Sequence, residues 1–180
     1  MTTYISILRG INVSGQKLIK MDALKKMYEN LKLENITTYV QSGNVIFSSS
    51  ETDPRKLENK IGKQIEKEFG FDVPVIVLTA KTLEYIVKHN PLARDTKKDI
   101  SFLHVTFLAD QPKTFDKKSI EDKRGEGEEI QFSKNAIYLY CPNGYGTTKL
   151  NNNFLEKILK VKTTTRNWKT TNELLKLATT

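Results

Sequence analysis

The chain has little that could staple it, hold a metal or cross a membrane. Its 180 residues include one cysteine, Cys141, and two histidines, His89 and His104, well apart in sequence. An internal disulfide framework is excluded, and no zinc-ligand spacing can be formed. The longest apolar run, residues 73–78, is far too short for a transmembrane helix. Met1-Thr2-Thr3-Tyr4 passes directly into a strand pattern, without a basic n-region or a cleavage-site pattern. These absences predict a protein of a reducing, cytoplasmic setting that has no membrane partner and needs no metal or cofactor. An aromatic platform for stacking RNA bases is thinly supported by Tyr4 and Phe47, and the glycine–aromatic run of an RNA-recognition motif is missing. No nucleophile–base constellation is visible either. His104 falls inside a strand, His89 at a helix end, and Cys141 at the end of an apolar strand, where each reads as a packing or surface residue.

What is present is enough apolar side chain for a core, 38% of the residues, and a net charge of +8. That charge is unevenly placed. Residues 51–148 balance at 16 basic and 16 acidic side chains, whereas residues 1–50 carry an excess of three positive charges and 149–180 an excess of five. An anionic partner is favoured at the two ends of the chain, although a basic surface can also serve solubility alone.

The order of elements predicts an α+β protein. Residues 3–9 read as a strand, and Met21, Leu24, Met27, Tyr28 and Leu31 recur at helical spacing. Residues 36–41 and 45–47 flank a tight Ser42-Gly43-Asn44 turn, a hairpin pattern. Asp53 and Pro54 open a helix whose stripe is Leu57, Ile61, Ile65 and Phe69, and Gly70 closes it. Residues 73–78 form a further strand. This β-α-β-β-α-β order is the ferredoxin-like arrangement. A similar order follows: a helix over 80–89, a strand over 101–108, a short helix over 112–120, and a hairpin from 130–132 and 137–141. Helices over 151–160 and from about Arg166 close the chain, with Thr164 or Thr165 capping the last. Two packed ferredoxin-like halves with antiparallel sheets and a closing helical pair are expected, residues 1–79 and 80–180, or one compact unit of both. Apolar residues at both parities of the first-half strands predict sheets covered on both faces.

Three polar, glycine-containing loops stand out: Leu8 to Gly15, Gln41 to Asn44, and Gly144 to Lys149 followed by Thr164 to Trp168. A right-handed β-α-β crossover makes the first two strands parallel, so the first two loops share a rim. Arg9, Asn12, Lys17 and Lys20 would then meet Gln41, Ser42 and Asn44 near the start of the first helix, whose N-terminus is partly positive. The alternative is that these loops only satisfy their own backbone. Gly10, Gly15 and Lys17 do not form a phosphate loop, because the lysine is one position late and Leu18 replaces the magnesium-binding hydroxyl. Tyr145 and Lys149 have a short-chain dehydrogenase spacing but no dinucleotide-binding βαβ unit.

Leu8-Arg9-Gly10-Ile11-Asn12-Val13, Lys20-Met21, Tyr39 to Val45, Tyr145 to Leu150 and Thr164 to Trp168 occur in one order that resembles the bacterial domain-of-unknown-function family 1697. The resemblance spans about residues 4–178. Members often carry two glycines in place of Ser14-Gly15, and an arginine is common where Thr147 stands. The resemblance implies a cytoplasmic protein of two small related α+β subdomains and supplies no activity. It marks Arg9, Gly10, Asn12, Gln41, Ser42, Gly43, Asn44, Tyr145, Gly146, Lys149, Arg166, Asn167 and Trp168 as signature positions.

The expected function is binding of a nucleotide, a nucleic acid or a phosphorylated small molecule. Charge would come from Arg9, Lys17, Lys20, Lys149 and Arg166, and specificity from Asn12, Gln41, Ser42 and Asn44, with Gly10, Gly15, Gly43, Tyr145, Gly146 and Asn167 completing the loops. Two alternatives stay open: a small enzyme acting on an anionic substrate through Tyr145 and Lys149, and a self-associating structural protein whose loops take no ligand.

Overall fold

The computed structural model describes residues 1–180. Eight strands and six helices follow one another as β1 (Thr2–Leu8), α1 (Met21–Asn30), β2 (Glu34–Tyr39), β3 (Asn44–Ser49), α2 (Pro54–Phe69), β4 (Val75–Thr79), α3 (Ala80–Lys88), β5 (Leu103–Leu108), α4 (Lys117–Glu121), β6 (Glu129–Phe132), β7 (Ala136–Tyr140), α5 (Asn152–Leu159), β8 (Thr163–Asn167) and α6 (Trp168–Thr179). They build two four-stranded antiparallel sheets, ordered β2-β3-β1-β4 and β6-β7-β5-β8. Both orders are the ferredoxin-like one, so the α+β class and its doubling, legible as an order of elements, are the observed architecture. No helix is long and apolar enough to cross a membrane.

The chain divides into two compact units. Unit 1 comprises Met1–Glu84 and Leu174–Thr180, and unit 2 comprises Tyr85–Glu173.

In unit 1, β1 pairs with β3 and β4, and β2 pairs with β3, all antiparallel. Strands β1 and β2 are therefore parallel and end on the same rim. Helices α1 and α2 cover one face. Leu24, Met27 and Tyr28 of α1, with Leu57, Ile61 and Ile65 of α2, pack in one cluster with Tyr4, Leu8, Val45, Phe47, Val75 and Val77 of the sheet. Tyr28 is wholly buried because its hydroxyl has a partner, Ser6 Oγ at 2.7 Å, and its ring meets Phe47 edge-on. Helix α2 has the expected boundaries: the Asp53 side chain accepts from Arg55 N–H, and Gly70 ends the helix in a left-handed conformation. On the opposite face of the sheet Ile5, Ile7, Ile46, Ile76 and Leu78 are buried as well. The apolar residues at both strand parities have this cause.

Unit 2 repeats the plan with shorter helices. Ile120 of α4 and Leu155 and Leu159 of α5 pack with Leu108, Ile137 and Leu139 of the sheet. The repeat extends to single hydrogen bonds. In unit 1, Leu8 N–H donates to Gly43 O in the β2–β3 turn, and Arg9 N–H donates to Pro74 O just before β4. In unit 2, Leu108 N–H donates to Asn135 O in the β6–β7 turn, and Ala109 N–H donates to Lys162 O just before β8.

The C-terminal segment differs from the sequence expectation. Thr164, Thr165 and Arg166 do not cap or begin the last helix; they belong to β8, which lies between α5 and α6. The threonines are β-branched, and their hydroxyls find partners within the unit. Thr165 pairs with Thr106 at 2.7 Å, and Thr163 and Thr165 both donate to Asn152 Oδ1 of α5, at 2.8 and 3.0 Å. Asn167 caps α6 instead, accepting from Thr170 N–H at 2.7 Å. The helix expected over 112–120 is confined to α4.

Candidate functional site

The first two loops do meet on the rim of unit 1. Residues 9–20 leave β1 and fold into a small hairpin of their own. Gln16 N–H donates to Val13 O, and the residues between them, Ser14 and Gly15, have φ of 52° and 72°. That left-handed pair is what a type I′ turn requires. Asn12, also left-handed at φ 55°, closes the base of the loop. Its amide donates to Ile19 O at 3.0 Å and to Gln41 O at 2.8 Å, while its carbonyl accepts from Ile19 N–H at 2.8 Å. One side chain thus ties the first loop to the second, and its bonding capacity is used on the backbone.

The second loop is held as closely. Gly43 has φ 88°, and a Cβ placed there would lie 2.6 Å from Ile11 Cδ1 and 2.9 Å from Leu8 Cβ. Only glycine lets the turn approach the end of β1. Asn44 is fully buried and donates to Tyr39 O and Ser42 Oγ. Lys17 spends its ammonium on Asp72 O at 2.7 Å. Gly10 and Gly15 are exposed, with open space where a Cβ would stand.

What these bonds leave facing outward is a cavity of about 640 Å³ lined by Asn12, Leu18, Ile19, Lys20, Met21, Asp22 and Gln41. Lys20 occupies the N-cap position of α1, and no side chain accepts from the first N–H groups of that helix. Helix α1 therefore presents donors and the positive end of its dipole at the cavity, beside an ammonium and the exposed Gln41. Asp22, in the first turn, is the one carboxylate of the lining. Of the sequence-selected residues, Asn12, Lys20 and Gln41 line the cavity, whereas Arg9, Lys17, Ser42, Gly43 and Asn44 frame or anchor the loops around it. Leu18, Ile19, Met21 and Asp22 were not among the ligand-binding residues expected from sequence, although a lysine where Ser, Asp or Asn would cap was the available signal.

The third loop lies in unit 2. The Tyr145 ring stacks on His104, with centroids 4.9 Å apart and 23° between planes. Burial holds the His104 imidazole below its ordinary pKa. Burial also pulls the Arg166 guanidinium down to about 10, a shift that nearby Tyr145 opposes, so the group is charged at neutral pH. Gly146 and Lys149 are exposed, and Asn167 is engaged as the cap of α6. Cys141 is buried, its thiol pushed up to about 11, chiefly by desolvation, as a packing residue should be. No group of His, Cys, Asp and Glu side chains is arranged to hold a metal ion.

Comparison with known proteins agrees with the fold and is silent on the chemistry. The chain is similar to the conserved bacterial protein SP0830 from Streptococcus pneumoniae, with a TM-score of 0.75, 23% identity and 98% of each chain covered. At that identity the likeness speaks to the fold alone. No curated protein matches the chain. Residues 1–138 match the family described as "Protein of unknown function (DUF1697)". That match covers more than three quarters of the 180 residues, and the chain belongs to the DUF1697 family.

Proposed function

We propose that the protein binds a phosphorylated or otherwise anionic ligand, a nucleotide or a nucleic acid segment, on the loop rim of unit 1. The observation that carries this reading is the start of α1: its first N–H groups lack a side-chain cap and open onto the cavity of about 640 Å³. Lys20 supplies charge there, Gln41 supplies an amide, and the helix terminus supplies aligned donors, the combination that suits phosphate oxygens. Asp22 opposes an anion, so the site is tuned rather than saturated with positive charge. The enzyme alternative is less well supported, since Tyr145 is engaged with His104 and Lys149 projects into solvent.

The test is a thermal-shift titration with inorganic pyrophosphate, AMP and a short single-stranded RNA. Ligand at about one hundred times its dissociation constant adds about 2.7 kcal/mol. For a chain of this size that corresponds to a rise in Tm of about 5–10 °C. Lys20→Ser should remove the shift, Asp22→Asn should enlarge it, and Lys149→Ala should leave it unchanged. Absence of any shift with all three probes, or a shift lost in Lys149→Ala and kept in Lys20→Ser, would sink the proposal. A nucleic acid ligand should also lose affinity steeply with salt.

A further inference from the structure

Unit 2 has its own opening at the rim that matches the candidate site of unit 1. After β1, the long connection of unit 1 sends Ile11 and Ile19 down into the core, and α1 follows with ten residues. After β5, residues 109–116 contain no fully buried side chain, and α4 has only five residues. The helix-side face of the second sheet is left partly uncovered at that end. The gap is a cavity of about 350 Å³, at the lower end of the range of about 300–1,000 Å³ for small-molecule pockets.

Its chemistry is divided. Leu108, Ile137 and Leu159 make an apolar floor, and Phe115 and Phe132 stand beside it, centroids 5.7 Å apart at 41°. Gln111, Ser133 and Lys134 provide the polar part, and the lining contains no carboxylate. Lys134 is exposed and engaged in no ion pair, and Lys117 Nζ lies 5.0 Å from the Phe132 ring centroid. An apolar body fits the floor, an aromatic ring fits the tilted phenylalanine pair, and a negative head fits the mouth. We propose that this cavity binds a small arylalkyl carboxylate, its ring against Phe115 and Phe132 and its carboxylate at Lys134. This site is independent of the anion site proposed on unit 1.

The experiment is an amide ¹H–¹⁵N titration of the full chain with 3-phenylpropionate and, separately, with its neutral analogue 3-phenylpropan-1-ol. The expected result is saturable perturbation centred on Leu108, Phe132, Ser133 and Ile137 by the acid. The alcohol should bind about tenfold more weakly, as loss of a charge-assisted contact implies. Lys134→Ala should erase the difference between the two compounds. Gln111→Trp, a change at an exposed residue of the lining, should block both by filling the opening. The proposal is overturned if the acid gives no saturable perturbation, if the perturbed amides lie outside this lining, or if acid and alcohol bind wild type equally. That last comparison needs no variant, so it stands whatever happens to the fold of the substituted proteins.

Discussion

At the scale of single residues, the loops divide into those that make the frame and those that face the cavity. Gly43 belongs to the frame twice over, by its positive φ and by the space Ile11 and Leu8 occupy beside it. Gly43→Ala should cost at least about 2 kcal/mol, because backbone strain and overpacking both apply. Gly146 has open space and no positive φ, so Gly146→Ala should be neutral or stabilise by up to about 1 kcal/mol. Paired chemical denaturation curves check this, and equal losses at the two positions would refute it. His104 supplies a pH dependence whose sign is fixed. Its folded pKa lies below the ordinary value of 6.5, so in acid the unfolded chain binds the extra proton and gains. The imidazole contributes no slope well above 6.5 and an increasing loss of stability as pH falls below it. His104→Phe keeps a ring for the stack on Tyr145 and removes the titration. The drop in Tm between about pH 7.5 and about pH 5 should be smaller in that variant than in wild type.

At the scale of elements, α1 is a helix whose start is left to something other than its own sequence. α2 has Asp53, α4 has Asp116 and α5 has Asn151 as accepting caps, whereas α1 has Lys20. Lys20 already holds φ −69° and ψ 137°, a conformation a capping serine adopts without rearrangement. Lys20→Ser should therefore raise stability by about 0.5–2 kcal/mol while weakening anion binding. A variant that melts lower would show that the lysine serves the fold. The same contrast explains which elements could be read from sequence. α2 was legible to the residue because Asp53, Pro54, an apolar stripe and Gly70 all agree. β8 was not, since Thr163-Thr164-Thr165-Arg166-Asn167 offers no alternating apolar pattern, and its hydroxyls are paid for by Asn152 and Thr106, residues remote in sequence. For the candidate site, the shared rim followed from parallel strands, but the division of labour did not. That Asn12 and Asn44 are consumed by backbone while Lys20 and Gln41 face the cavity depends on carbonyl positions that no local spacing encodes.

At the scale of the whole molecule, unit 1 is discontinuous: its last seven residues arrive after the chain has built all of unit 2. Leu174 is the buried member of that returning segment. Leu174→Ala should cost about 2–5 kcal/mol. The loss should appear first as faster amide exchange in β1, β3 and β4, with β5 and β7 following less; uniform loss across both sheets would refute the assignment. The two units also differ in what they can tolerate. Each loop rim is anchored by the same two main-chain bonds, at Leu8 and Arg9 in one unit and at Leu108 and Ala109 in the other. Main-chain bonds impose no demand on side-chain identity, so the anchor is common to both rims, but the room beside it is not: where unit 1 has Gly43 packed against Ile11 and Leu8, unit 2 has Asn135. A segment that leaves after Leu8 therefore brings Ile11 with it and can be spliced after Leu108 only together with glycine at position 135, so a graft between the halves has to carry the turn along with the loop. Duplication of such an anchor frees one copy to drift in chemistry while the other keeps its own.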